Sequence, residues 1–374
     1  MAEYDFRAML RAFIKEECPG NLINQARRLG WKESKPWCLK LSERGWLAPA
    51  WPAEYGGMAL NTEKLLAFHD EFDEAGVARW PDLGFVMLGP LLIRFGTELQ
   101  KQRYLPRILA CEDIWCQGYS EPGAGSDLAS LRTSAVLQGE EWLINGQKIW
   151  TTYAQDSTNI FLLARTNPEA KKQNGISFFL ADMDTPGITV RPIRTLSGDE
   201  EFCEVFFDNV RIPKSNIVGK IDEGWTVAKA LLGLERLMIG SPKLAHVALL
   251  RLEDLVRQSG AVEDEAVQAN LIKLKLDVSD LISTYRRFVE EIRRGGNPGP
   301  EMSILKIWCT ETYQRITEQM VEVANEWGVI EGGESTANQV DALGYYFLSR
   351  PGTIYAGSNE IQRNILAKHV LNLP

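Results

Sequence analysis

The sequence predicts an α+β multidomain protein whose chain runs from helices to strands and back to helices. Three observations carry this reading. Apolar residues recur at spacings of three and four over the first 113 residues; from about Ile114 the period falls to two; after Gly219 the helical period returns and holds to the end. The expected domains are an N-terminal α-helical domain over 1–113, a central antiparallel β-sandwich or barrel domain over 114–222, and a four-helix-bundle-like C-terminal α domain over 223–374.

In chain order, Asn61 and Thr62 can cap a helix carrying Leu65, Leu66, Phe68 and Phe72 on one face, and Thr97 with Gln100 forms a capping box ahead of Tyr104, Leu105 and Ile108. Trp142 to Ile144, Asn145–Gly146 and Lys148 to Thr152 read as strand, turn and strand, because an Asn-Gly pair supplies the positive φ angles of a two-residue hairpin. Residues 176–183, 188–193 and 203–212 continue the strand pattern, with Pro186–Gly187 as a turn. Amphipathic helical runs follow at Trp225 to Val256, Glu263 to Arg294 and Ile304 to Glu326, with a short helix after Gly357; the Gly/Pro stretch 293–300 separates two of them. Pro242 falls inside the first of these runs and is expected to bend it near Met238.

Composition narrows the partners. With 374 residues, 45% hydrophobic content and a net charge of −9, the chain has the makings of a large core and no basic face, which argues against nucleic acid or an anionic membrane. No apolar run approaches the ~18 residues of a membrane span, and the first residues lack a signal-peptide core, so a cytoplasmic protein is expected. The six cysteines form no CxxC pair and the three histidines, His69, His246 and His369, are scattered; free thiols are expected, and no metal site.

The chemistry concentrates in residues 116–152. Ser120 and Ser126 bracket Pro122, Gly123 and Gly125, so backbone N–H groups can approach a flat or anionic ligand unhindered by Cβ atoms. By itself SEPGAGSD also reads as a plain tight turn. Trp150 adds a large apolar face, and Thr152 is expected to point the same way along an extended strand.

CQGYSEPGAGSD, INGQKIWTT and the C-terminal IYAGSNEIQRNILAKHVL, set in an α–β–α order, together resemble the acyl-CoA dehydrogenase family over essentially the whole chain. The resemblance implies bound FAD, removal of two hydrogens from the α and β carbons of an acyl-CoA thioester to give a trans-2-enoyl-CoA, an electron-transfer flavoprotein as acceptor, and a place in lipid metabolism. By motif position, Gln117, Tyr119, Ser120, Gly125 and Ser126 would line the flavin, with Ser126 also touching CoA. Trp150, Thr151 and Thr152 would stack on and bond to its ring, and Ser358, Asn359 and Glu360 would form a C-terminal cofactor turn. Arg236, Ala356 and Gly357 fall at substrate positions.

Many members place a glutamate where this chain has Ala356, and a methyl group abstracts no proton. A smaller branch carries the base in an Glu-Arg pair on a C-terminal helix, and LLGLERLMIG puts Glu235 there. Apolar neighbours would raise that carboxyl's pKa and strengthen it as a base, while the Ala356 N–H still serves to polarise the thioester carbonyl. Glu235 also reads as an ordinary helix-face ion-pair partner. Two family features are missing: the arginine of an RxxF pattern that reaches a neighbouring subunit's FAD pyrophosphate, replaced here by acidic GAVEDEAVQANLIKL, and a QxxGG stretch, matched only by Asn325 and Gly328 of NEWGV. Both losses concern another subunit's cofactor, so an α2β2 tetramer with a homologous, arginine-supplying chain is expected. A non-catalytic structural partner subunit and a flavin oxidase or monooxygenase on the same fold are the competing readings.

Overall fold

Eight strands form one sheet in the middle of the chain: β1 (Trp115–Gly118), β2 (Ser134–Gln138), β3 (Glu141–Thr152), β4 (Asn159–Arg165), β5 (Ile176–Asp182), β6 (Ile188–Ile193), β7 (Phe202–Pro213) and β8 (Ile217–Val218). The spatial order is β6-β7-β3-β2-β4-β5-β8, with β1 also paired to β4. All pairings are antiparallel except β1 with β4 and β2 with β4. The computed structural model describes residues 3–78, 83–230, 240–296, 299–329 and 340–373.

In chain order the described helices are α1 (Glu3–Glu17), α2 (Trp31–Glu43), α3 (Thr62–Glu74), α4 (Gly89–Phe95), α5 (Glu98–Leu109), α6 (224–230), α7 (Lys243–Gln258), α8 (Glu265–Arg293), α9 (Ser303–Ala324), α10 (Ala342–Ser349) and α11 (Asn359–His369). The chain divides into two compact units. One holds Arg28–Leu65 and Arg79–Leu231, the sheet included; the other holds Met1–Arg27, Leu66–Ala78 and Leu232–Pro374. Among the described residues, no helix is long and apolar enough to cross a membrane.

Strand alternation builds two of the sheet unit's buried clusters. Phe161, Leu163, Phe178 and Leu180 face a cluster with Trp51, Leu92 and Tyr104, while Ile160, Leu162, Phe179 and Ala181 face a second with Trp142, Ile144 and Val205. Such two-sided burial explains why β4 and β5 read as continuous apolar runs. In the other unit, α7, α8, α9 and α10 share a core that includes Leu252, Leu281, Leu305, Ile316 and Met320. There Arg7 and Arg11 of α1 converge on the buried carboxylate of Glu71, at 3.0 and 2.5 Å.

Local signals held where a side chain could act alone. Asn61 accepts the Lys64 N–H, and Thr97 and Gln100 cap each other reciprocally. Three expectations change. Asn145–Gly146 is no hairpin turn: β3 runs through it, the reversal falls at Gly139 (φ +66°), and Gly146 sits in a bulge opposite β7. Asn145 is engaged across the sheet instead, accepting the Asn209 N–H at 2.8 Å, and a Cβ at Gly146 would lie 2.6 Å from Thr133 Oγ1. A second bulge between Lys148 and Thr151 shifts the buried face by one residue, so β3 is not simply extended there. Pro242 does not lie within a helix. It is the N-cap of α7, the end of a helix at which its missing N–H removes no intrahelical bond.

Candidate active site

In the sheet unit the loop after β1 closes on itself, Glu121 and Ala124 exchanging backbone hydrogen bonds at 3.0 Å each way. The plain-turn reading therefore holds, but it does not account for the glycines. Gly123 and Gly125 have no positive φ, and among the described residues no atom lies within 4 Å of a Cβ built on either. Neither strain nor packing among the described residues demands glycine at either position, so the backbone of this loop is open to close approach. Ser126 is exposed beside them and Ser120 half-buried.

Trp150 follows Ile149, whose backbone N–H donates to the Ser120 carbonyl of this loop. Its indole is 56% exposed although it meets the edge of Phe202 with ring centroids 6.0 Å apart. Its φ is +61°, a conformation that costs a bulky L residue roughly 1–3 kcal/mol and concentrates at functional positions. Next to it Thr151 is buried with its Oγ1 lacking a hydrogen-bond partner among the described residues, and Thr152 is half-buried. An exposed aromatic slab, an orphaned hydroxyl and an open glycine loop fit a flat, polar-edged ring such as a flavin. The link between loop and slab is short: Ile149 N–H donates to the Ser120 carbonyl at 2.9 Å.

Beneath both lies a pair the motif reading did not single out. Lys148, with no exposed surface, donates from Nζ to Glu121 Oε1 at 2.8 Å and to the Tyr119 carbonyl at 3.1 Å. Glu121 also accepts the N–H groups of Arg132 (2.6 Å) and Thr133 (2.9 Å). Burial pushes Lys148 down to about 8, against the pull of Glu121. Burial works to raise the Glu121 carboxyl, but Lys148 and the N–H donors hold it below the usual range. A signal was present: Lys148 shares strand parity with buried Trp142 and Ile144, and a lysine on an apolar strand face requires an acid. A cavity of about 320 Å³ adjoins the pair, lined by Pro122, Gly123, Arg132 and Gln147 among others.

Not every expected residue turns its side chain to a ligand. The Tyr119 ring is buried in the core, edge-on to Phe161 and Phe178, so only its backbone is near the loop surface. Gln117 is half-buried on β1, paired with Phe161.

The C-terminal turn lies in the other unit. Ala356 (φ +54°) and Gly357 (φ +78°) are consecutive left-handed residues, and Gln362 donates to both carbonyls, at 3.0 and 3.3 Å. No hydrogen bond among the described residues uses the Ala356 N–H, which leaves that donor available. Ser358 caps α11 by accepting the Ile361 N–H at 3.4 Å, and exposed Glu360 is held below the usual carboxyl range by the Ser358 hydroxyl. Asn359 differs from expectation: it is 1% exposed, and its amide is spent on Lys306 (2.7 Å), Thr310 and Glu311, so it braces the turn from behind. Lys306, wholly buried, is pushed down to about 8 by burial. Glu235 and Arg236 lie outside the described residues.

Comparison with known proteins covers nearly the whole chain. Models of the acyl-CoA dehydrogenase N-terminal, middle and C-terminal domains match residues 2–112, 116–210 and 222–371. Acyl-CoA dehydrogenase IpdE1 of Mycobacterium tuberculosis is 37% identical, covering 99% of this chain and 97% of the relative. Mouse mitochondrial short-chain specific acyl-CoA dehydrogenase is 29% identical over 97% of this chain and 89% of its own. Among solved structures, the Tcur3481-Tcur3483 steroid ACAD superposes with a TM-score of 0.89 at 30% identity, covering 100% of this chain and 97% of that one. The ChsE4-ChsE5 complex from Mycobacterium tuberculosis gives 0.85 at 29%, with the same coverage.

Proposed function

We propose, from the premise that the chain belongs to the acyl-CoA dehydrogenase family and is an oxidoreductase of that family, that it desaturates a bulky acyl-CoA thioester at its α,β bond as one half of a heteromeric enzyme. The family binds FAD, which when bound accepts the hydride lost from the β carbon. The observation that carries the reading is the short link that holds the open Ser120 loop beside the exposed Trp150 indole, the Ile149-to-Ser120 hydrogen bond at 2.9 Å. In this reading Ser120, Ser126 and Thr152 hydrogen-bond the cofactor, Trp150 covers its ring, and Glu360 with the Ser358 cap serves from the C-terminal turn. Glu235 takes the α-proton, because Ala356 has no group that can. The N–H of Ala356 polarises the thioester carbonyl, with Arg236 and Gly357 beside the substrate.

Two features support a heteromer. The acidic 260–265 stretch stands where an arginine would reach a partner's pyrophosphate, and two structural relatives bear paired names, Tcur3481-Tcur3483 and ChsE4-ChsE5. The steroid designation of the former supports a polycyclic acyl group. An electron-transfer flavoprotein is the proposed acceptor. The test is co-expression with a homologous subunit, then a visible spectrum and an acyl-CoA panel with an artificial electron acceptor. Steroid-type thioesters should bleach the flavin band, and Glu235→Gln should abolish turnover. A stable homotetramer with one FAD per chain would sink the heteromer, and undiminished turnover in Glu235→Gln would remove that residue as the base. Ala356 favours one second reading, a structural partner subunit; catalysis dependent on Glu235 excludes it.

A further inference from the structure

We infer that the buried Glu121–Lys148 ion pair is the positioning device that holds the Ser120 loop against the Trp150 strand, and that cofactor affinity depends on it. The inference rests on the flavin reading above. Three separated pieces of backbone converge on these two side chains: Tyr119 through its carbonyl, Arg132 and Thr133 through their N–H groups, and β3 through Lys148 itself. Every ligand-facing group of this half-site is close by in sequence. Ser120 adjoins Glu121, and Trp150 stands two residues beyond Lys148, within the bulge.

The chemistry explains why ions stand where apolar residues would fill the space at less desolvation cost. A carboxylate can accept three hydrogen bonds at once, and an ammonium can donate to a carboxylate and a carbonyl together. No apolar pair can tie a turn, a following loop and a strand to one point. The bond from Ile149 N–H to the Ser120 carbonyl then aligns the two ligand-facing segments. Charge bears on this arrangement from few directions. Glu121 favours the protonated form of Lys148, and Arg165 on β4 also interacts electrostatically with Glu121. Deprotonating Lys148, whose ammonium burial brings down to about 8, removes the charge that draws the strand onto the loop.

The test uses the full chain with any partner, freed of flavin and retitrated with FAD. Glu121→Gln with Lys148→Met replaces both ions by neutral groups and avoids the stranded charge that can unfold Lys148→Met alone. Flavin fluorescence should show the FAD dissociation constant of the folded double variant raised about tenfold or more, with a shifted absorption band. Wild-type affinity should weaken from pH 7 to 9, and the double variant should lose that pH dependence. Without FAD, amide exchange in a peptide spanning 117–126 should quicken by a similar factor. Unchanged affinity with an unchanged pH profile in the folded double variant, or unchanged exchange, overturns the inference. A wild-type protein that binds no FAD counts against the flavin reading, and exchange then still decides whether the pair holds the loop.

Discussion

The loop after β1 and the turn before α11 are each braced by a fully buried lysine, and the braces are chemically different. Lys148 meets a carboxylate that itself gathers two backbone N–H groups. Lys306 meets the neutral amide of Asn359, which passes the contact on to Thr310 and Glu311. The first arrangement ties distant segments together through charge. The second supports a turn whose shape is already set by two left-handed residues and the Gln362 side chain. A loop whose glycines meet nothing inside the chain needs external anchoring, whereas a turn capped by its own helix needs only backing.

This contrast is open to attack in order of expected size. Lys148→Met should cost about 3–5 kcal/mol of stability in urea denaturation, because Glu121 is left buried and unpaired. Lys306→Met leaves the Asn359 amide oxygen with only the long Thr310 hydroxyl contact at 3.4 Å and should cost about 1–3 kcal/mol; a loss as large as that of Lys148→Met would erase the distinction. Lys306 also has a pH signature. Its folded pKa, about 8, lies below its ordinary 10.5, so the unfolded chain binds the extra proton between those values and wild-type stability should rise with pH across that window. Stability curves of Lys306→Met should rise less steeply over that window, keeping only the share due to Lys148, which burial also brings down to about 8.

Gly357→Ala should cost about 1–2 kcal/mol, since φ is +78° and the new Cβ would lie 2.9 Å from Gln362 Nε2; a thermal melt with no shift would show that the turn is not the rigid member of the pair. Thr151→Val is the smallest change. It removes an orphaned buried hydroxyl and should raise the stability of the flavin-free protein by up to about 1 kcal/mol. A fall in FAD affinity alongside that gain would make the hydroxyl a cofactor contact.

Much of this was legible in the residues because the signals were local. The Thr97–Gln100 box, the Asn61 cap and the strands after Ile176 need only neighbours in sequence, and they stand where expected. Asn145–Gly146 misled because the same dipeptide serves a two-residue turn or a bulge, and only the partner strand β7 selects between them. Pro242 misled because apolar periodicity continued across a break between helices. Asn359 looked like a ligand residue within its motif, yet Lys306 lies 53 positions earlier, out of reach of any reading of the turn alone.

By itself the sequence determined the order of helices, strands and helices, the family, and which segments bear the cofactor-type residues, because periodicity, capping and motif spacing are short-range properties of a chain. Only the tertiary structure decided that Trp150 is strained and exposed, that Thr151 hides an orphaned hydroxyl, and that Lys148 and Glu121 form a buried ion pair. The reason is physical. Desolvation, bulges and buried ion pairs are set by what packs around a residue, and the residues that pack here come from strands and loops far apart in the chain.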